Sequence, residues 1–426
     1  MRLTVVGGGS TYTPELVDGI CARRSTLDVE ELVLVDPDER RLEIVGDFSR
    51  RLLARAGHPA LVHTTTSVAE GAEGASAVLL QLRVGGQRAR RSDETFPHAC
   101  GCVGQETTGA GGLAKALRTV PVVLDIADRV REVAGPDAWL VDFTNPVGIV
   151  TRALLEAGHR AVGLCNVAIG LQRLSARLLG VDSASVRLDH VGLNHLSWER
   201  RVLVADAHGE TDRLPELLAA HGPELAEHVG APCDWLRRTG MLPSYYLKYF
   251  YAHDEAVRAQ LTERPRADVV SEVEAELLAC YADPALERTP ELLASRGGAY
   301  YSEAAIELVR ALIGAGSAGE HVVNVRNEGT LPFLPDDAVI ETACAVDSSG
   351  VRPLPQRPVE PLLRGLIAQV SAYEHLALDA ALRGGRDRVA DALLAHPLVG
   401  QYALADRLAD DLVAANRAVL PWVRKG

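Results

Sequence analysis

The chain has 426 residues, 47% of them hydrophobic and 24% charged, and a formal net charge of −13. That length allows two or three domains with a large core. The acidic balance argues against general nucleic-acid binding, which needs a basic face, and no apolar run is long enough to span a bilayer.

An anionic small substrate stays open, because it needs only a local basic pocket. Seven cysteines without paired spacing suit a reducing cytoplasm rather than a disulfide scaffold. The apolar stretch at Met1–Val6 is too short for a signal peptide. A cytoplasmic location is the expectation.

Leu3 to Val6 reads as a buried parallel strand ending in Gly7-Gly8-Gly9. Thr13-Pro14 supplies an N-cap and a first helical residue, and Glu15 suits the positive helix end, which predicts a helix to about Arg24. Glu31 to Asp36 is a second strand ending in an acid. Strand, glycine turn, helix, strand and acid form the dinucleotide-binding layout. Gly7, Gly8 and Gly9, with Ser10 and Thr11, would bring the backbone close to a pyrophosphate. Asp36 would accept hydrogen bonds from the adenosine ribose, favouring NAD over NADP. Tyr12 replaces the third glycine of the fingerprint, so a tight turn of some other α/β protein is the competing reading.

Ser76–Leu82 is another buried strand, opening into a loop, 83–91, with Arg83, Arg88, Arg90 and Arg91. The loop is either a phosphate or carboxylate clamp near the cofactor or a solvated basic segment. Residues 101–112 combine many glycines with Gln105, Glu106, Thr107 and Thr108, and either line a substrate or connect elements. A helix is predicted over Leu113–Ala134 and a strand over Ala138–Phe143. Asn145 then either binds a sugar hydroxyl or caps the helix opened by Pro146.

Ala161–Leu164 is a strand ending at Cys165, and residues 186–198 read as continuous strand material through His195. Cys165 and His195 are candidate ligands of one divalent metal, although each alone also fits an ordinary buried residue. Beyond Leu214 the pattern is mostly helical. The aromatic cluster at 245–251 reads as core packing, Arg296–Ser302 opens a helix, and Val322–Val325 and Asp336–Glu341 read as strands. From Pro358 onward the pattern is a one-sided helical packing platform. The expected fold is α/β, with a Rossmann-like doubly wound parallel sheet over residues 1–165 and a mostly helical α+β domain over 166–426.

The segments Gly7–Leu16, Gly104–Gly109, Thr144-Asn145-Pro146, Cys165-Asn166, Gly192–His195, the tyrosine stretch and the 329–335 segment together resemble glycoside hydrolase family 4, the NAD- and metal-dependent glycosidases. Tyr12 is normal for that family. The resemblance implies that Cys165 and His195 bind the metal, usually Mn2+, and that Arg90 contacts a substrate phosphate. It implies that Asn145 binds sugar hydroxyls and that Tyr246 is the catalytic base. Asn166 stands as in members acting on 6-phospho-β-glucosides, where α-specific members tend to carry Asp. Ala168, where proline is expected, and Cys100-Gly101-Cys102 depart from the pattern.

The implied reaction is NAD-dependent oxidation at C3, deprotonation at C2, elimination of the aglycone, water addition and re-reduction. The resemblance also implies a homodimer or homotetramer. An α-linked or unphosphorylated substrate, or a lactate/malate-type dehydrogenase of the same fold, is the alternative.

Overall fold

The computed structural model describes residues 1–207, 209–297, 300–316, 318–420 and 422–423. Its strands are β1 (Arg2–Val6), β2 (Glu31–Val35), β3 (Leu61–Thr65), β4 (Ala77–Leu80), β5 (Trp139–Asp142), β6 (Ala161–Gly163), β7 (Val186–Leu193), β8 (Leu196–Asp206), β9 (Gly209–Asp212), β10 (Leu242–Pro243), β11 (Gly319–Arg326), β12 (Val339–Asp347) and β13 (Gly350–Pro353). They form one sheet in the order β10-β8-β7-β12-β11-β6-β5-β4-β1-β2-β3, with β9 beside β8 and β13 beside β12.

From β3 to β6 every pairing is parallel, which gives the spatial order 3-2-1-4-5-6 of the doubly wound dinucleotide fold. β4 and β5 are wholly buried and β1 and β2 nearly so. Continuous apolar runs are what strands need when helices cover both faces. Beyond β6 the pairing turns antiparallel. β11 meets β6 at one register pair, Asn324 opposite Gly163, and β12, β7, β8 and β10 follow. The sheet thus continues past residue 165, after which the division into two domains is expected.

Gly163 makes the junction possible. A Cβ there would lie 2.2 Å from Thr151 Oγ1, 2.7 Å from Val147 Cγ1 and 2.9 Å from Asn324 Cβ. Helices Pro361–Arg383, Arg386–Ala395 and Tyr402–Asn416 all pack on helix Gly109–Ala134, so the C-terminal platform covers the N-terminal half.

Two expectations on the second half change, and part of a third lies outside the described residues. The strand read through 186–198 is a hairpin, with Asn194 and His195 as a two-residue turn between the paired Leu193 and Leu196. Its backbone needs left-handed φ, 62° at His195 and 148° at Gly192, which apolar alternation does not reveal. Asp336 and Asp337 precede β12 rather than opening it, because the Asp336 carbonyl closes a turn by accepting from Glu328 N–H (3.0 Å). Gly298 and Ala299, in the segment expected to open a helix, lie outside the described residues, and helix Tyr301–Leu312 follows them.

The antiparallel half carries a buried ionic network. His190 Nδ1 faces Glu199 Oε1 (2.8 Å), and its Nε2 faces Glu341 Oε2 (3.2 Å). Burial works against charge on the imidazole, but Glu199 and then Glu341 outweigh it and push its pKa up to about 10. Burial also works against the Glu341 carboxylate, yet the His190 hydrogen bond outweighs it and lowers that pKa.

Gly163→Ala should cost ~1–3 kcal/mol through overpacking at the junction and lower Tm by several degrees in calorimetry; an unchanged Tm would contradict the tight fit. His190 titrates at about 6.5 in the unfolded chain, so its contribution to stability is whole below that pH and is lost as pH rises through the raised folded value. Tm should therefore fall between about pH 7 and pH 10, and fall less steeply in His190→Gln.

Candidate active site

The glycine turn lies at the carboxyl end of β1, between β2 and β4, where the strand order reverses. Gly7 has φ 88°, and a Cβ on it would come within 2.6 Å of the Gln81 carbonyl oxygen. On Gly8 a Cβ would meet Leu34 Cβ at 2.7 Å. Gly9 N–H donates to Asp36 Oδ2 (3.1 Å), and Asp38 N–H donates to Asp36 Oδ1 (3.0 Å), so the acid holds the turn as well as facing the cavity. Burial raises the Asp36 pKa, against those two N–H donors. The turn opens a cavity of about 1090 Å³ lined by Gly7, Ser10, Asp36, Arg41, Lys115 and Asn145, among others. Of the residues expected to hold a dinucleotide, Gly7, Ser10 and Asp36 reach this cavity, while Gly8 and Gly9 lie buried behind it. Thr11 is buried, and its carbonyl accepts from the Tyr281 hydroxyl (2.8 Å).

Thr13 is the first residue of helix Thr13–Ala22 rather than its cap. Its hydroxyl instead donates to the Gly8 carbonyl (2.8 Å) and so fastens the turn to the helix. Pro146, and not Asn145, occupies the cap of helix Val147–Glu156. Asn145 lines the cavity instead, and its Oδ1 is buried with no hydrogen-bond partner among the described residues.

The arginine segment is also not a loop. Helix Gly86–Thr95 begins inside it, after Gly85 turns the chain with φ 87°. Arg83 and Arg88 line the cavity, Arg91 turns outward to Asp268 (2.9 Å), and Arg90 is half-buried with Nε near Glu94 (2.7 Å) and Glu106 (3.1 Å). Glu106 is buried and is also paired with Arg83 and with Lys115 Nζ (2.6 Å). Burial would raise its pKa, but Arg83, Lys115 and Arg90 hold it well below the usual carboxylate range. Desolvation lowers Lys115 to about 8, against the pull of Glu106.

The sequence flagged Glu106 without a partner and missed Lys115, whose signal is a lysine on the apolar face of a long helix. That helix starts at Gly109, four residues before the expected Leu113. Its glycines serve close packing: a Cβ on Gly111 would lie 2.4 Å from the carbonyl oxygens of Asp93 and Gln105.

Cys165 follows β6 and is buried. Its thiol is pushed up to about 12 by burial and then by Glu341, while Val167 N–H and the Asn194 and Tyr301 side chains donate to it. Tyr301 also lines the cavity, so it touches both the thiol and the glycine-turn pocket. His195 sits at the hairpin tip, buried, with Nδ1 lacking a partner among the described residues. Burial lowers its pKa to about 4, which leaves the ring neutral with an open lone pair. Glu341 acts electrostatically on both Cys165 and His195.

Tyr246 stacks on His195 with ring centroids 3.7 Å apart and planes 16° apart. Pairing of β10 with β8, and a bond from Ser244 N–H to the Ser197 carbonyl (2.8 Å), bring the two rings together. Burial raises the Tyr246 phenol above its ordinary value, Cys165 adds to this, and Arg90 opposes it. Asn166 takes the cap position of helix Val167–Leu179, and Ala168 lies in that helix's first turn.

The family model described as "Family 4 glycosyl hydrolase" matches residues 2–181, and "Family 4 glycosyl hydrolase C-terminal domain" matches residues 190–399. The 6-phospho-beta-glucosidase of Escherichia coli is 37% identical, over 99% of this chain and 96% of that protein. The 6-phospho-beta glucosidase from Thermotoga maritima, solved with manganese, NAD+ and glucose-6-phosphate, superposes with a TM-score of 0.90 at 33% identity, covering 98% of this chain and 99% of that one. Malate dehydrogenase from Salinibacter ruber, at 17% identity and a TM-score of 0.52 over 91% of this chain and 99% of that one, shares the fold alone. The chain belongs to family 4 of the glycosyl hydrolases.

Proposed function

We propose that this protein hydrolyses 6-phospho-β-glucosides with the help of NAD and a divalent metal such as Mn2+. The observation that carries the reading is the meeting of three groups: the Cys165 thiol, the His195 Nδ1 that has no partner among the described residues, and the Tyr246 ring stacked on that histidine. It is supported by relatives that bear the 6-phospho-beta-glucosidase name along nearly the whole chain.

The residues fit both groups. Gly7, Ser10 and Asp36 would hold the dinucleotide in the cavity at the strand-order reversal. Cys165 and His195 would hold the metal. Among the described residues no cluster of three or more His, Cys, Asp or Glu could hold an ion, so oxygens of substrate and water must complete the shell. When bound, NAD supplies a hydride acceptor for the sugar's C3 and the metal supplies a Lewis acid for its oxygens.

The chain's own residues do the rest. Tyr246 takes the C2 proton once the neighbouring carbon is oxidised. Its raised pKa keeps the phenol protonated and leaves little phenolate to act as base, and Arg90 is the cation that acts against that rise. Asn145 offers its amide to the sugar hydroxyls. Both carboxylates near Arg90 meet its Nε, which leaves the rest of the fork for a phosphate, with Arg83 and Arg88 at the cavity wall. Asn166 beside the thiol supports the β-anomer.

The reading places the enzyme in the cytoplasm, and among the described residues no helix is long and apolar enough to cross a membrane. Leu362, Leu382 and Tyr402 stay exposed on the C-terminal helices and support a homodimer or homotetramer.

Release of nitrophenol from p-nitrophenyl 6-phospho-β-glucoside should need both NAD+ and Mn2+ and leave no net NADH, and Cys165→Ser should abolish it. Net NADH formation, or preference for the unphosphorylated or α-linked glucoside, would overturn the assignment. Tyr246→Phe should lower kcat by about 10²–10⁴-fold with little change in NAD+ affinity; unaltered kcat would remove Tyr246 from the chemistry.

A further inference from the structure

The network behind the hairpin has a second connection. Glu341, on β12, is buried, and its Oε1 accepts from Asn194 Nδ2 (3.2 Å) and Asn324 Nδ2 (3.0 Å). Its Oε2 faces His190 Nε2 (3.2 Å), and His190 Nδ1 faces Glu199 Oε1 (2.8 Å). Asn194 is the residue immediately before His195, and its side chain also reaches the Cys165 thiol. One carboxylate thus grips the turn that carries His195, through a residue that also touches Cys165.

We infer that Glu341 is a positioning residue for the cation held by Cys165 and His195, and that the Glu199–His190–Glu341 triad supplies the buried counter-charge for that cation. This rests on the reading that Cys165 and His195 hold a divalent metal. Three hydrogen bonds already occupy the Glu341 carboxylate, so it acts from behind the ligands rather than as one of them.

Charge balance carries the argument. Each ring nitrogen of His190 faces a carboxylate oxygen, so both carry protons and the ring is a cation between two anions. The triad therefore has one net negative charge. As ligands of a cation a histidine is neutral and a cysteine is a thiolate, so Cys165 adds a second negative charge. Two buried negative charges side by side are costly, and a divalent cation between them lowers that cost. A triad that only held β7, β8 and β12 together would not need to grip Asn194.

The test is Mn2+ affinity, read by electron paramagnetic resonance of the free ion, on the full protein with NAD+ and glucose 6-phosphate present. Glu341→Gln removes the charge and should weaken Mn2+ binding about 10–100-fold, with NAD+ affinity by calorimetry unchanged within about twofold. Glu341→Asp keeps the charge and should recover part of the loss. Asn194→Ala leaves the triad intact, should also weaken Mn2+, and serves if Glu341→Gln does not fold.

Equal Mn2+ affinity in wild type and in these variants would overturn the inference while leaving the metal site standing. Equal loss of Mn2+ and NAD+ binding would reduce the triad to a structural role and overturn it too. Absence of Mn2+ binding by the wild type would overturn the metal reading and this inference with it.

Discussion

The molecule depends on how two half-sheets of opposite sense are joined. The parallel half ends at β6 and the antiparallel half begins at β11, and one register pair, Gly163 with Asn324, connects them. No side chain fits at Gly163, and Asn324 is wholly buried. Everything assigned to chemistry radiates from this line. Cys165 lies two residues past the glycine, and Asn324 shares Glu341 with the turn that carries His195. A doubly wound sheet binds ligands at the carboxyl ends of its strands. Here the antiparallel half of the same sheet brings a hairpin tip and a tyrosine to them.

Buried charge is the second theme. The site sits between two ionic clusters of opposite balance. On one side Arg83, Arg90 and Lys115 surround Glu106, an excess of positive charge beside the cavity. On the other, Glu199 and Glu341 surround His190, an excess of negative charge beside Cys165 and His195. A phosphate suits the first and a divalent cation suits the second. Each cluster pairs its charges through hydrogen bonds, which is the condition for keeping charge inside a protein, although the buried Glu199 Oε2 has no partner among the described residues.

Much of the first half was legible because its signals are local. The strand, glycine turn, helix and Asp36 lie within a few dozen residues and each obeys a short-range rule. The second half was legible only in parts. His195 looked like strand interior, since alternation cannot reveal a turn made by positive φ. Tyr246 on His195 depends on β10 meeting β8, a pairing of two residues that carries no sequence pattern. The glycines at 109–112 read equally as a substrate lining or a connection, whereas two of them make room for the Asp93, Gln105 and Thr107 backbone. Lys115 was overlooked, because a lysine on the apolar face of a helix points to a site only once its partner Glu106 is placed in space. The residues brought together here were named from a family resemblance across many motifs; no single spacing would have assembled them.

The central claim is that Cys165, His195 and Tyr246 form one site at which a sugar loses a proton from C2. It is tested most directly by letting the enzyme turn over a 6-phospho-β-glucoside in D2O and reading the released sugar phosphate by proton NMR. The account predicts deuterium at C2, because the proton taken by Tyr246 exchanges with solvent before it returns. A product with its C2 hydrogen intact would point to displacement at C1 without C2 deprotonation, and would contradict the account.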